Sequence, residues 1–560
     1  MGGALERTSS LSSDPTPHDD HSQALRLAQK GKSLLEQYDT SDMPGDLDDA
    51  INTLRRACKS LPEDHSERAA YLNILGNSFQ SRFDRVGDIV DLGKAIRAQR
   101  QAVRLTPEDH PNKPTYLDDL RSSLQSRFEH LDDLVNLGEA ISTQQQAVRL
   151  TPDNHPDKPT YLNNLGNSFH SRFERLGDVT DLDEAVTAHQ RAVRLAPDDH
   201  PDKPDCLNDL GISFQSRFEH LGDLANLDEA ITAQQHAIRL TPDGHPDKLM
   251  YLDNIGNFFQ SRFEHTGDTA DLDEAITVRQ QAVHLTEDDH TDKPGRFSDL
   301  GISFHSRFER HGGLVDLDEA ITAKRHAVRI TSDEDPAKPG CLSNLGNSLE
   351  RRFERLGDLV SLDEAISAHQ KAISLTPDDH PDRSLFFNNL GVSLQCRFEH
   401  FGDLVNLEEA IKAQQQAILL TPDDHPHEAG YLNGLGTSLL DRFERLGGLT
   451  DLEEAIAAQQ KSIHLTPDSH PLKAGRLSNL GIALQSRFGR FGDLANLDEA
   501  ITVKRQADCL IPDDHPEKFA YLTNLGNSIL VRFQRLGGLV DLNEAIMTQQ
   551  KALRLAPESH

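Results

Sequence analysis

One glycine recurs along this chain every 45 residues, with no insertion or deletion between its occurrences. It occupies Gly31, Gly76, Gly166, Gly211, Gly256, Gly301, Gly346, Gly391, Gly436, Gly481 and Gly526. Only Arg121 interrupts the series, and residues 21–560 divide into twelve consecutive repeats of 45 residues. A fixed period of this length indicates an array in which each repeat buries its apolar face against its neighbours.

The charge of the chain limits the partners that it can bind. The formal net charge is −33. An acidic surface repels phosphate backbones, so we expect a protein or an extended peptide as the partner and no nucleic acid. A basic patch confined to a groove would still be compatible with this overall charge.

Cysteine usage and hydropathy bear on the compartment. The five cysteines do not share a position in the repeat, so we expect reduced thiols and an intracellular, cytoplasmic location. No segment resembles a secretion signal or is long and apolar enough to cross a bilayer, so we predict no membrane association. Residues 1–20, rich in Ser, Thr, Asp and Pro, are predicted to be a disordered tail.

Two helical patterns follow one another in each repeat, as repeat four (residues 156–200) shows. In its first half, apolar side chains recur at steps of three and four: Tyr161, Leu162, Leu165, Phe169 and Phe173. Its second half carries a similar stripe: Leu182, Ala185, Val186, Ala192 and Val193. Each repeat is therefore predicted to be a pair of helices joined by a turn at Gly177.

The ends of the helices are predicted from local signals. Pro156 suits a first helical position, where the missing N–H carries no penalty. Asp181, with Glu184 three residues later, is predicted to cap the second helix. Pro197 is predicted to end that helix after Leu195.

Small residues predict close packing within each pair of helices. The alanine at Ala185 recurs in all twelve repeats, and the alanine at Ala192 fails only at Ser462. Glycine on the first helix and alanine on the second allow the two backbones to approach closely. Arg121 in place of glycine therefore predicts a wider crossing in repeat three.

These residues resemble the tetratricopeptide repeat, which has Leu-Gly, an aromatic residue, two alanines seven residues apart and then a proline. The matching residues of repeat two are Leu75, Gly76, Phe79, Ala95, Ala102 and Pro107. The family's unit of about 34 residues is lengthened here, and His155-Pro156 with the following Leu-Asn-Asn-Leu-Gly is similar to the kinesin-light-chain variety. The string Arg-Phe-Glu-Arg-Leu-Gly-Asp with Asp-Leu-Asp-Glu-Ala-Ile resembles fungal arrays that often precede a CHAT peptidase domain.

The resemblance implies an all-α, right-handed superhelical solenoid of about twelve 45-residue helix-turn-helix repeats. Residues 21–65 are predicted to be a degenerate capping repeat, since Gln37-Tyr38 replaces Arg-Phe, and residues 66–560 to be eleven tandem repeats. The implied function is a non-enzymatic scaffold that binds protein or peptide. No peptidase domain precedes His560, so the alternative is a sensor arm of a larger CHAT-type effector. We also expect that the C-terminal end, without a separate capping helix, allows self-association.

The most regular polar residues are predicted to be structural. An arginine followed by phenylalanine, as at Arg172, is expected to pair with a carboxylate such as Glu184 rather than to grip an acidic ligand. The histidine at His200 recurs once per repeat, which does not close a metal site, so turn contacts are expected. No catalytic residue, cofactor or metal is predicted, because nothing departs from the repeat as a unique active site would require.

The predicted binding residues lie three and two positions before the glycine and one and four positions after it, which by resemblance face a peptide on the concave surface. They are Asn73, Asn77, Gln80, Asn163, Asn164, Asn167, His170, Asn208, Gln215, Asn257, Gln260, His305, Asn347, Asn388, Gln395, Gln485 and Asn527. Amides donate and accept together, so a ladder of them can hold an extended backbone. The alternative is that the amides bond to neighbouring helices.

The position after the glycine alternates between polar and aliphatic residues. It reads Asn167, Ile212, Asn257, Ile302, Asn347, Val392, Thr437, Ile482 and Asn527. The array is thus predicted to be built from pairs of 90 residues. Two interpretations stay open: alternate polar and apolar contacts to a peptide, or a duplication without functional meaning.

Replacing Arg121 with glycine is expected to raise the thermal stability of the chain. The substitution restores the small residue that lets the two helices of repeat three approach each other. The measurement is the midpoint of thermal unfolding of wild type and Arg121→Gly, and an unchanged midpoint would refute the explanation.

Overall fold

The chain forms twelve helical hairpins, which confirms the predicted all-α repeat architecture. The computed structural model describes residues 17–41, 43–62, 65–422 and 425–556, and these contain 24 helices and no strand. From the second repeat onward, each first helix spans 19 residues and each second helix 16 or 17. The two helices of each hairpin pack along each other.

The helices are numbered in chain order, so that odd numbers are first helices and even numbers are second helices. The first helices are α1 Pro17–Ser41, α3 Arg68–Val86, α5 Lys113–Leu131, α7 Lys158–Leu176, α9 Lys203–Leu221, α11 Lys248–Thr266, α13 Lys293–His311, α15 Lys338–Leu356, α17 Arg383–Phe401, α19 Glu428–Leu446, α21 Lys473–Phe491 and α23 Lys518–Leu536. The second helices are α2 Pro44–Ser60, α4 Ile89–Leu105, α6 Leu134–Leu150, α8 Val179–Leu195, α10 Leu224–Leu240, α12 Thr269–Leu285, α14 Leu314–Ile330, α16 Leu359–Leu375, α18 Leu404–Leu419, α20 Leu449–His464, α22 Leu494–Leu510 and α24 Leu539–Leu555.

The chain divides into two compact halves, residues 1–285 and 286–560. The first contains α1 to α12 and the second α13 to α24. Inside each half, every second helix packs against the first helix of the following hairpin, and successive first helices also touch. Each half is therefore a stack of hairpins in chain order.

Helix α1 begins at Pro17, inside the segment for which a disordered tail is predicted, and residues 1–16 lie outside the described part of the chain. All five cysteines are free, as expected. Across the described helices, no segment combines the length and the apolar character needed to traverse a bilayer.

Glycine and alanine bring the two helices of a hairpin close together, as predicted. Ala95 is fully buried, and a Cβ atom added at Gly76 would lie 3.3 Å from the carbonyl oxygen of Ala95. Arg121 nevertheless fits into α5: 15% of its side chain is exposed, and its Nε atom lies 3.6 Å from Oδ1 of Asp118 without a hydrogen bond.

The structure corrects two predicted helix starts in repeat four. Helix α7 begins at Lys158, so Pro156 lies in the preceding turn rather than in the helix. The N-cap of α8 is Asp178, whose carboxylate accepts from the backbone N–H of Thr180, and Asp181 lies in the first turn. The prediction failed because Asp178 and Asp181 are both good caps by type, and only the backbone decides between them.

Asp181 instead binds the recurring arginine. The guanidinium of Arg172 donates through Nε, at 2.7 Å, and through a second nitrogen to the carboxylate of Asp181. This pair holds the pKa of Arg172 above its usual range. The structural interpretation of the arginine is thus confirmed, but its partner is Asp181 rather than Glu184.

The recurring histidine closes the turn between repeats, as expected. Nδ1 of His200 accepts from the backbone N–H of Asp202 at 3.1 Å. The single exception in the sequence keeps the contact, since the carboxylate of Asp335 accepts from the N–H of Ala337 at 2.8 Å.

A recurring lysine that was not among the predicted structural residues caps the second helix. Lys158 is 3% exposed, and its ammonium group donates to the carbonyl oxygens of Val148 and, at 2.6 Å, of Thr151. Those carbonyls belong to the end of α6 and the residue after it, where a cation is favoured by the helix dipole. Burial lowers the pKa of Lys158.

The turn inside repeat three is expected to become more stable when Asp132 is replaced with glycine. Asp132 has φ 56°, while ten other repeats place a glycine in this left-handed conformation. Removal of the Cβ strain should raise the free energy of unfolding by about 0.5–1 kcal/mol. Urea unfolding of Asp132→Gly and wild type measures the difference.

A matched control is Gly222→Asp, which places the same carboxylate in the same turn of repeat five, where φ is 71°. It should lower stability by a similar amount. The ion pair of Asp132 with Arg175 is half exposed and contributes little. A loss of stability in Asp132→Gly would show that this pair outweighs the backbone strain.

Candidate functional site

The predicted binding residues share one region of the first helices, in the turns around the recurring glycine. All seventeen lie on first helices between α3 and α23. Four of them are exposed: Asn167, Asn257, Asn347 and Asn527. The other thirteen are buried or half-buried.

Two asparagines of repeat four hold repeat five. Asn163 and Asn167 on α7 both donate through Nδ2 to Oδ2 of Asp209 on α9, at 2.7 and 2.8 Å. We call this arrangement the amide clamp. Repeats two and three carry the same clamp, formed by Asn73, Asn77 and Asp119. These amide groups therefore bind the neighbouring helix, which is the alternative that the sequence left open for them.

The amide clamp gives the 90-residue alternation a structural basis in the N-terminal half. The clamp needs an asparagine after the glycine in the even repeat, such as Asn167, and an aspartate in the odd repeat, such as Asp209. The odd repeat carries Ile212 after its own glycine, and that side chain packs against the apolar core. Burial raises the pKa of the second clamp aspartate, Asp119.

From the second repeat onward, a polar side chain from the second helix crosses beneath the glycine position of the first helix, 23 residues after it, whereas the first repeat has Leu54 there. These crossing side chains are Gln99, Gln144, His189, Gln234, Arg279, Lys324, His369, Gln414, Gln459, Lys504 and Gln549. From Gln99 to Lys504 they are at most 6% exposed. A Cβ atom at Gly76 would lie 2.5 Å from Cγ of Gln99, so the glycine makes room for this side chain as well as for the backbone of the second helix.

Apart from His369 and Gln459, the crossing side chains hydrogen-bond to the first helices around them. Nε2 of Gln99 donates to Oδ1 of Asn77 at 2.9 Å. Nζ of Lys324 donates to the hydroxyl of Ser348 in the next repeat at 2.7 Å. The crossing side chain therefore links its own hairpin to the following one. Burial lowers the pKa of Lys324 to about 8.

Repeat four places two histidines in this layer. Nδ1 of the crossing side chain His189 lies 2.9 Å from the hydroxyl of Ser213, and its Nε2 lies 3.0 Å from Oδ1 of Asn167. His170 on α7 lies 2.9 Å from the hydroxyl of Ser216. Burial lowers the pKa of both histidines, that of His189 to about 4, so both are neutral near pH 7.

Two pockets at the turns between repeats also follow the 90-residue period. One, of about 450 Å³, is lined by His110, Pro111 and Tyr161 among others. The other, of about 300 Å³, is lined by the equivalent His200, Pro201 and Tyr251, together with several aspartates.

Sequence reasoning missed the crossing side chains and the pockets. The signal was available, because a polar residue recurs 23 positions after the glycine between the two alanine positions. The recurrence alone does not indicate burial, because polar residues on helices are usually exposed.

Comparison with known proteins identifies the repeat. Residues 160–202 and 249–292 match the family model described as tetratricopeptide repeat. The other repeats share the period and the helix bounds of these two segments, so the described helical hairpins have the architecture of tetratricopeptide repeats throughout. No curated protein matches the sequence.

Several solved structures resemble the chain. A putative kinesin light chain from Podospora anserina with nearly identical TPR-like repeats is 16% identical and covers 39% of this chain and 98% of its own, with a TM-score of 0.30. A monomeric IFIT1 mutant with Gppp-AAAA is 14% identical and covers 94% of this chain and 100% of its own, with a TM-score of 0.39. The Cut9 and Hcn1 complex is 14% identical and covers 98% of both chains, with a TM-score of 0.35.

Acid is expected to destabilise the chain through His189. Its folded pKa of about 4 lies below the unfolded value near 6.5, so the unfolded chain binds the proton first. This histidine therefore contributes stability above pH 6.5 that is lost as the pH falls through 4. The loss attributable to this residue is at most about 3 kcal/mol.

The measurement is the thermal midpoint of wild type and His189→Gln at pH 7 and pH 4.5. Glutamine occupies the equivalent position at Gln144 and Gln234, so the variant should fold, and it should lose less stability on acidification than wild type. His200→Gln, at a half-buried position in a turn, serves as the control. Equal acid sensitivity of wild type and His189→Gln would contradict the assignment.

Proposed function

We propose that the chain is a protein-interaction scaffold that binds an extended peptide along its first helices. The tetratricopeptide fold supports a scaffold in general terms. The observation that carries the location is a set of exposed amides: Asn257, Asn347 and Asn527. Within the described residues, the Nδ2 groups of all three donate no hydrogen bond, in contrast to Asn163 and Asn167.

These three asparagines differ in the hydrogen bonds that their side chains already make within the chain. Asn257 and Asn527 each accept one hydrogen bond through Oδ1, from Arg279 and from Gln549, both at 2.9 Å. These contacts fix the side chain and leave the N–H groups directed away from it. An amide held in this way donates to a peptide carbonyl with little loss of side-chain entropy.

The partner that we propose is basic. A glutamate recurs one turn beyond the binding positions on the first helices and is exposed at Glu174, Glu219, Glu264 and Glu309. The chain as a whole carries a net charge of −33. A peptide with lysine or arginine side chains would meet these carboxylates while its backbone meets the amides.

We propose no catalytic step, because the recurring arginine, histidine and aspartate side chains serve contacts that are the same from repeat to repeat. Location in the cytoplasm, association with a CHAT domain and self-association through the C-terminal end stay predictions from the sequence.

The triple variant Asn257→Ala, Asn347→Ala and Asn527→Ala is expected to weaken peptide binding. Peptides selected from a displayed random library on wild type should be rich in lysine and arginine. Each lost hydrogen bond costs about 0.5–1.5 kcal/mol, so a peptide that uses two of them should bind on the order of tenfold more weakly. Fluorescence anisotropy at two salt concentrations measures the affinity and its dependence on charge.

A matched control replaces the exposed glutamines Gln280, Gln370 and Gln550 on the second helices of the same repeats. This triple alanine variant should bind the selected peptides as wild type does. Both variants should keep the wild-type circular-dichroism spectrum. Unchanged affinity of the asparagine variant, or an equal loss of affinity in both variants, would show that the binding surface lies elsewhere.

A further inference from the structure

A pair of hydrogen-bonding side chains joins successive first helices from the second to the fifth repeat. In repeat three, Nε2 of Gln125 donates to the hydroxyl of Ser171 on the next first helix, at 3.2 Å. The same amide donates to Glu129, one turn later on its own helix, at 3.1 Å. The glutamine thus supplies both N–H groups of its amide to two acceptors.

Repeats eight and nine replace this pair with metal-binding residue types. Glu350 stands where repeat three has Gln125, and Cys396 stands where it has Ser171. The recurring acid remains as Glu354. One carboxylate oxygen each of Glu350 and Glu354 and the Sγ atom of Cys396 all lie within 4.8 Å of one another. Both changes remove a neutral hydrogen-bonding group and add one that can become an anion.

The carboxylate of Glu350 has few hydrogen-bond donors around it. It is 7% exposed, and the hydroxyl of Ser393 donates to its Oε2 at 2.6 Å. Within the described residues its Oε1 accepts no hydrogen bond. A buried carboxylate without full partners is costly unless a proton or a cation compensates it.

The crossing side chain of repeat eight lacks partners as well. His369 is fully buried, and neither of its ring nitrogens has a hydrogen-bond partner. A Cβ atom at Gly346, one turn before Glu350, would lie 2.5 Å from Cε1 and Nε2 of this ring. In repeat four the equivalent ring bonds to Ser213, but the equivalent serine of repeat nine, Ser393, donates to Glu350 instead. Ser393 therefore binds the carboxylate of Glu350, whereas Ser213 binds the ring of His189.

We propose that Glu350, Glu354 and Cys396 bind one zinc ion between the first helices α15 and α17. A thiolate with two carboxylates selects zinc over magnesium or calcium, which prefer oxygen ligands alone. Binding would release the thiol proton of Cys396 to solvent, and the cation would offset the charge of Glu350, since Glu354 already pairs with Arg351 at 2.6 Å. The site would then join repeat eight to repeat nine where the Gln–Ser pair is missing.

The alternative to the zinc site is a protonated Glu350 that donates a hydrogen bond as the missing glutamine would. A metal titration distinguishes the two explanations. Co²⁺ serves as the probe, because a cobalt–thiolate bond gives a charge-transfer absorption that carboxylates alone do not give. Wild type should bind one Co²⁺ per chain with this absorption. Added Zn²⁺ should displace the cobalt and raise the thermal midpoint of wild type.

Two variants restore the residues of the other repeats and should therefore fold. Cys396→Ser should abolish the charge-transfer absorption, and Glu350→Gln should weaken or abolish it. In both variants Zn²⁺ should no longer raise the thermal midpoint. Cys509→Ser, at an exposed cysteine elsewhere in the same half, should behave as wild type.

Absence of the charge-transfer absorption in wild type at saturating Co²⁺ would overturn the zinc site and leave the protonated glutamate. Absorption that persists in Cys396→Ser, or that is lost in Cys509→Ser, would place the metal at another cysteine and would overturn it equally. The outcome is independent of peptide binding, because none of these residues belongs to the set of exposed asparagines.

Discussion

From the second hairpin onward, a polar side chain from the second helix lies across the glycine position of the first helix, and the packing of the repeat is arranged around it. Gln99 and His189 reach asparagine oxygens above them, and Lys324 reaches the serine of the next repeat. An unpaired polar group in this layer would cost about 1–3 kcal/mol. Because misaligned helices would break these bonds, the crossing side chains favour one register between neighbouring repeats.

The same layer explains why the repeats differ while their backbones stay alike. The crossing position holds glutamine, histidine, arginine or lysine, and each type draws different partners from the first helices. The amide clamps of the N-terminal half, at Asp119 and Asp209, join an even repeat to the following odd one. The alternation, which suggested a pattern of peptide contacts, thus helps to hold neighbouring repeats together in the N-terminal half. The exposed asparagines of the proposed binding surface are those whose N–H groups donate no hydrogen bond within the described residues.

The residues that depart from the repeat pattern form the most unusual polar clusters of the chain. Repeat three combines Arg121, in place of the helical glycine, with Asp132, which has the left-handed backbone conformation that other repeats give to glycine. Repeats eight and nine combine Glu350 with Cys396, so that a neutral pair becomes a set of potential anions. Such changes are visible in the sequence as exceptions, but their meaning depends on which side chains lie next to them. Glu350 and Cys396 are 46 positions apart, and only the stacking of α15 and α17 brings them together.

The sequence alone determined the period, the helical hairpin and the small residues between its helices, because these follow from local spacing and from steric fit. It also indicated correctly that the arginine and the histidine of each repeat are structural. It could not select Asp178 over Asp181 as the cap, nor show that Asn163 and Asn167 are held by Asp209. Those outcomes depend on contacts between residues more than 40 positions apart, or on a backbone angle that residue type does not fix. Tertiary structure therefore decided which polar groups are used within the protein and which stay available to a partner.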